Sequence, residues 1–181
     1  MRLFTAIVPP SAAITHLAAA VQRVRDDHLR WTDTTAWHVT LAFYGDVEEA
    51  VVPKLVERLT RAARRYAPME LQLAGSGRFS RSVLWIGVHG ERRPLGRLAS
   101  SMVSAGRRCG IPQHPKRTFR PHVTIARAAR RADLRPYVSS LADYSGPPWE
   151  AEEAALIQSH LGEGSEGHPR YETIARFPLG A

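Results

Sequence analysis

Two five-residue stretches, His38-Val39-Thr40-Leu41-Ala42 and His122-Val123-Thr124-Ile125-Ala126, repeat one pattern 84 residues apart (122 minus 38). On a strand, alternation sends His and Thr to one face and Val and Leu or Ile to the other. The apolar face joins a core, while the polar face presents an imidazole beside a hydroxyl, groups suited to proton transfer on a substrate with tightly held oxygens. If the two halves of the chain are related by a pseudo-twofold axis, His38 and Thr40 face His122 and Thr124 across one groove. A neutral imidazole then takes a proton from water while a protonated one gives a proton to a leaving oxygen. Both forms coexist near the ordinary histidine pKa of about 6.5. The Thr40 and Thr124 hydroxyls can donate hydrogen bonds to nonbridging phosphoryl oxygens as charge builds on a trigonal bipyramidal phosphorus. Such a site suits phosphoester cleavage and requires neither metal nor cofactor.

The neighbours of the two motifs are less decisive. Arg127 lies three residues after Thr124, so alternation puts it on the opposite face unless the strand ends or bulges there. It reads either as a phosphate contact or as a solvated charge at a strand end. Arg120, in the loop before Pro121, is a further candidate. Alternation turns Phe43 toward the core with Val39 and Leu41, and leaves Trp37, Tyr44 and Phe79 as candidates to stack on a base at the cleft rim, with ordinary packing as the competing reading. A zinc site would want three protein ligands, and His89, His114, His160 and His168 share no spacing with the motif histidines. No P-loop, dinucleotide fingerprint or Gly-x-Ser-x-Gly elbow is present, and Gly75-Ser76-Gly77 reads as a turn within a loop over 75–81.

These residues need a scaffold, and 181 residues suffice for one domain, or two small lobes sharing a core. Helices are expected from Ser11 to near Leu29, from Pro53 with Leu55 and Leu59, from Pro94 to a stop at Gly110, and over Leu134 to Leu141. Strands are expected over 2–8, the first His motif, Met69 to Ala74, Val83 to Val88, the second His motif after a basic loop, Ala154 to Ser159 and Tyr171 to Phe177. The resulting order is β-α-β-α-β-β-α-β-α-β-β. The N-terminus has one early Arg and a brief apolar stretch before Pro9-Pro10, which reads as a first strand and not as a signal peptide. No apolar run approaches a membrane span. The single Cys109 excludes an internal disulfide and a cysteine-based metal site, and fits a cytoplasmic protein. Net charge is +8, and Lys54 and Lys116 are the only lysines among 25 basic side chains. Arg suits forked contact with phosphate, so a polyanionic partner is expected, although a general use of Arg for Lys accounts for part of the excess.

The chain resembles the two-histidine (2H) phosphoesterases, and among them the RNA 2′,3′-cyclic phosphodiesterases also described as 2′-5′ RNA ligase-like proteins. The resemblance spans nearly the whole sequence. It rests on Arg2-Leu3-Phe4-Thr5-Ala6-Ile7, Trp37 through Gly45, Val83-Leu84-Trp85-Ile86-Gly87, Phe119 through Arg127, and Tyr171 through Leu179. It implies an α+β, bilobal, pseudo-twofold fold, a single domain over 1–181 in which two antiparallel sheets line a central cleft with helices outside. It also implies metal-independent opening of an RNA 2′,3′-cyclic phosphate to a 2′-phosphate, with no cofactor. By this similarity His122 is the proton acceptor that activates water and His38 the proton donor to the 3′ oxygen, an assignment that symmetry allows to be reversed. RNA with a cyclic phosphate end, or a small cyclic nucleotide, is the implied partner. Other reactions consistent with these residues are opening of a different small cyclic phosphate, 2′-5′ ligation by the reverse chemistry, and noncatalytic RNA binding.

Overall fold

The computed structural model describes residues 1–112, 118–129 and 132–180. The basic loop expected before the second His motif falls largely on 113–117, outside the described residues. Strands β1 (Arg2–Ile7), β3 (Val39–Asp46), β8 (Glu153–His160) and β9 (Arg170–Pro178) form one sheet in the order β3-β1-β8-β9. A second sheet has the order β2-β6-β5-β4-β7, built from β2 (Arg30–Trp31), β4 (Met69–Phe79), β5 (Val83–Gly90), β6 (His122–Arg127) and β7 (Trp149–Ala151). Every pairing in both sheets is antiparallel. Strand β8 returns to pair with β1, and β9 pairs with β8, so sequential halves of the chain do not each build one lobe. Strand β3, which begins directly after His38, and β6, which begins with His122, lie in different sheets and meet across the cleft.

Among the described residues four α-helices cover the sheets, the three longer ones by a periodic apolar stripe. In α1 (Ser11–Val24) the buried residues are Ala13, Leu17 and Val21, four apart. The helix stops at Val24, short of the expected Leu29, because the next residues are committed elsewhere. The Asp26 carbonyl accepts from the Trp31 indole (2.8 Å), and its carboxylate accepts from the His28 amide (3.0 Å) and the Tyr137 hydroxyl (2.6 Å). Helix α2 (Val52–Ala63) carries Pro53 in its first turn, where a missing N–H is harmless, and buries Leu55 and Leu59. Helix α3 (Arg92–Arg108) buries Leu95, Leu98, Ala99 and Met102 against β3 and β4. Helix α4 (Arg135–Leu141) packs on β4 and β5. Among the described residues, no helix is long and apolar enough to cross a membrane.

The expected loop over 75–81 is instead mostly strand. β4 continues to Phe79, pairing Ser76 with Ile86, Gly77 with Trp85 and Phe79 with Val83, and the turn shrinks to the residues around Ser80–Ser82. The two glycines that look like turn signals have other reasons. Gly75 sits at φ +69° where the β4–β5 register shifts, a conformation that favours glycine. Gly77 has an ordinary φ but lies beneath the Trp85 ring: a Cβ there would stand 2.2 Å from indole Cζ2. The short strands β2 and β7 were not expected, since two or three residues are too few to display a period.

Candidate active site

The cleft between the sheets has a volume of about 840 Å³, and both motifs line it through His38, Thr40, His122 and Thr124. The two motif strands share a bulge at an equivalent place. In β3, Thr40 and Ala42 pair with consecutive residues of β1, leaving Leu41 unpaired. In β6, Thr124 and Ala126 pair with consecutive residues of β5, leaving Ile125 unpaired. The extra residue reverses the alternation beyond it. Val39 to Phe43 and Val123 to Arg127 therefore share one burial sequence, in which the fifth residue after each histidine returns to the cleft. That residue is Arg127 in one half and Phe43 in the other, and both line the cavity.

Both imidazoles are fixed in the same way. Nδ1 of His38 lies 2.7 Å from the Ala36 carbonyl oxygen, and Nδ1 of His122 lies 2.7 Å from that of Arg120. A carbonyl accepts only, so Nδ1 carries the proton and donates it, and the unshared pair of the neutral ring is on Nε2. Aromatic rings hold each imidazole from the side. Phe4 and Tyr171 stand 4.7 and 5.3 Å from His38, while Phe79 and Trp85 stand 4.7 and 6.1 Å from His122, centroid to centroid.

Burial pushes His38 down to about 4, only partly offset by its bond to Ala36, and positive charge on His122 would push it the same way. His122 is also lowered, chiefly by burial and further by Arg127, against the bond to Arg120. Between pH 6.5 and about 4 the unfolded chain takes up a proton that folded His38 refuses. Acidification through this window therefore favours unfolding. His38→Gln is expected to be more acid-tolerant than wild type, its melting temperature falling less between pH 7 and 5. Equal falls in thermal scans would refute this.

Residues 9–163 match the 2′-5′ RNA ligase superfamily. The chain belongs to that superfamily. The RNA 2′,3′-cyclic phosphodiesterase of Geobacillus stearothermophilus is 32% identical over 154 residues, covering 82% of this chain and 47% of that protein, so the chain spans about half that relative's length. The protein of the same name from Aquifex aeolicus is 28% identical over 179 residues, covering 94% of this chain and 93% of its own. The crystal structure of E. coli LigT in apo form superposes with a TM-score of 0.81 at 26% identity, covering 99% of this chain and 98% of LigT. The bilobal α+β architecture of two antiparallel sheets with helices outside is thus the fold of this superfamily.

Within this superfamily member the aromatic expectations need correction. Trp37 is 3% exposed in the core, and Tyr44 is equally buried, its hydroxyl donating to the Met102 carbonyl (2.9 Å), so neither stands at the cleft rim. A second register shift, between Leu3 and Phe4, leaves Tyr44 unpaired and turned inward, while Phe43, expected in the core, is 38% exposed. Phe79 packs edge-on against His122 and braces that ring. Arg120 contributes its carbonyl to the site. The cleft residues that sequence reasoning missed include Arg2, Phe4, Arg30, Phe43, Arg170 and Tyr171. The Arg2 guanidinium lies 4.8 Å from the Phe43 ring centroid. Among the described residues, no group of three or more His, Cys, Asp or Glu is placed to hold a metal ion.

Trp85 links the glycine under it to the histidine beside it. Gly77→Ala is expected to displace the indole and loosen His122, lowering kcat by about 10-fold or more, since a shift of about 1 Å at a reacting group can cost 10²-fold. Circular dichroism should remain that of the folded protein while Trp fluorescence changes. Unaltered kcat would show that the ring does not position the imidazole.

Proposed function

We propose that this chain hydrolyses RNA 2′,3′-cyclic phosphate ends to 2′-phosphomonoesters without a metal ion. The observation that carries this reading is the pair of imidazoles in one cleft, each with Nδ1–H tied to a backbone carbonyl and Nε2 left for a substrate. The names of the curated relatives, RNA 2′,3′-cyclic phosphodiesterase, support it, as does the crystallisation of E. coli LigT with 3′-AMP.

In the proposed step His122 Nε2 takes a proton from water as the water oxygen bonds to phosphorus. The P–O3′ bond breaks, and His38 Nε2–H delivers its proton to O3′, leaving a 3′-hydroxyl and a 2′-phosphate. Thr40, Thr124 and Arg127 hold the nonbridging oxygens, where negative charge accumulates. The depressed affinity of His38 for a proton makes it a strong acid once loaded, and the bound phosphate anion supplies the attraction that loads it.

A pH profile follows. Both imidazoles are lowered in the free protein, so the bell for kcat/KM should centre below pH 6.5, with limits that belong to the coupled pair. The anionic substrate raises both groups, so the kcat bell should lie at higher pH. A kcat/KM optimum above pH 7 would contradict the proposed protonation. The activity itself is tested by incubating the protein, in excess chelator, with an oligonucleotide ending in a 2′,3′-cyclic phosphate and identifying the phosphomonoester formed. A 2′-phosphate is expected. A 3′-phosphate, no turnover, or turnover only with added metal would overturn the reading.

A further inference from the structure

A second concentration of positive charge lies outside the cleft, in a groove of about 360 Å³ between α2 and α3. None of its lining residues is shared with the cleft. Arg58, Arg61 and Arg65 come from one side of α2 and the turn after it; Ser100, Ser104 and Arg108, four apart, come from one side of α3. Donors from both helices thus line one groove.

The charge here is largely uncompensated. Glu57 pairs with Arg61, but among the described residues no carboxylate pairs with Arg58, Arg65 or Arg108. Arg58 lines the groove while its Nε is buried without a hydrogen-bond partner, so the charge is held there with little stabilisation from the protein itself. Clustered like charges also repel, so the groove opposes its own formation unless an anion occupies it.

We propose that this groove binds the phosphodiester backbone of single-stranded RNA, as a contact separate from the cleft. Its lining is Arg, Ser and Ala alone, so it offers phosphate donors and no aromatic surface on which a base could stack. The contact is therefore indifferent to sequence. An extended strand fits better than a compact polyphosphate because the charge continues past the groove. Helix α3 contains no Asp or Glu and exposes Arg92, Arg93, Arg97 and Arg107 along its length of about 25 Å. That the strand is the one whose end enters the cleft rests on the proposed function; the groove's affinity for RNA does not.

The test uses the full chain and the triple variant Arg58→Gln/Arg65→Gln/Arg108→Gln. Binding of a long single-stranded oligonucleotide with an ordinary 3′-hydroxyl end is measured across a salt series. For single strands each neutralised phosphate contributes about 0.7 to the slope of log K against log salt, so three lost contacts should flatten it by about 2 and weaken binding at low salt roughly 10-fold or more. The matching triple Arg→Lys variant keeps the charge and should keep most of the slope, which separates lost contacts from lost fold. Hydrolysis of a 2′,3′-cyclic mononucleotide, too small to span both places, should be equal in wild type and the Gln variant. If wild type fails to hydrolyse a cyclic-phosphate-ended oligonucleotide, the proposed function falls while the binding series still judges the groove. Equal affinities and slopes in wild type and the Gln variant would overturn the inference. So would binding of inorganic pyrophosphate at the groove without binding of the oligonucleotide.

Discussion

His38→Ala and His122→Ala, made separately, should each lower kcat/KM on a cyclic-phosphate end by about 10²–10⁴-fold, the range for loss of one positioned proton-transfer group. The double variant should fall little further. In the proposed step donor and acceptor act on the same transition state, and removing either leaves the other with nothing productive to do, so their effects should not add. Burial does not alter this expectation, because neither ring is needed to fill the core: both line the cleft and lean on aromatic neighbours that remain in place. Binding of the 2′-phosphate product should survive in both variants, and that survival distinguishes lost chemistry from a collapsed site. Full activity in either variant would remove that histidine from the mechanism.

Thr40→Val and Thr124→Val are expected to reduce kcat by about 10²–10³-fold each, the cost of deleting one donor aimed at developing oxyanion charge. Val nearly matches Thr in shape and suits a strand, so the substitution removes a hydroxyl and little else. Among the described residues neither hydroxyl makes a hydrogen bond within the protein, and both face the cavity, which is how a donor reserved for a ligand should stand. The loss should fall mainly on kcat, since charge on the nonbridging oxygens grows toward the transition state. A change confined to KM would recast both as ordinary binding groups.

How much of this could be read in advance differs from residue to residue. The repeated His-x-Thr pattern led directly to four cleft residues because period-two alternation holds over the first three positions of each motif. It fails at the fourth. The bulges at Leu41 and Ile125 are set by pairing with β1 and β5, strands far away in sequence, and a Leu or Ile that bulges looks like one that pairs. Hence simple alternation turns Phe43 inward and Tyr44 outward where the structure has the reverse, and the face of Arg127 depends on a register that local sequence does not carry. Gly75 and Gly77 misled for a related reason. Glycine marks any place where a side chain is unwelcome, and here the causes were a left-handed backbone and an indole from the neighbouring strand, not a turn. The core helices were legible apart from the end of α1, since an apolar stripe at helical spacing depends only on local sequence, whereas the stop at Val24 depends on contacts that Asp26 makes with Trp31 and Tyr137.

The matching bulges have an outcome that neither motif alone would produce. They bring one further side chain from each half into view, and there the internal likeness ends: a benzene ring on one bank, a guanidinium on the other. A cavity whose walls were true mirror partners would accept an asymmetric guest in two senses with equal ease. With unlike walls, the two senses differ in energy, and a directional polymer can be seated preferentially one way round.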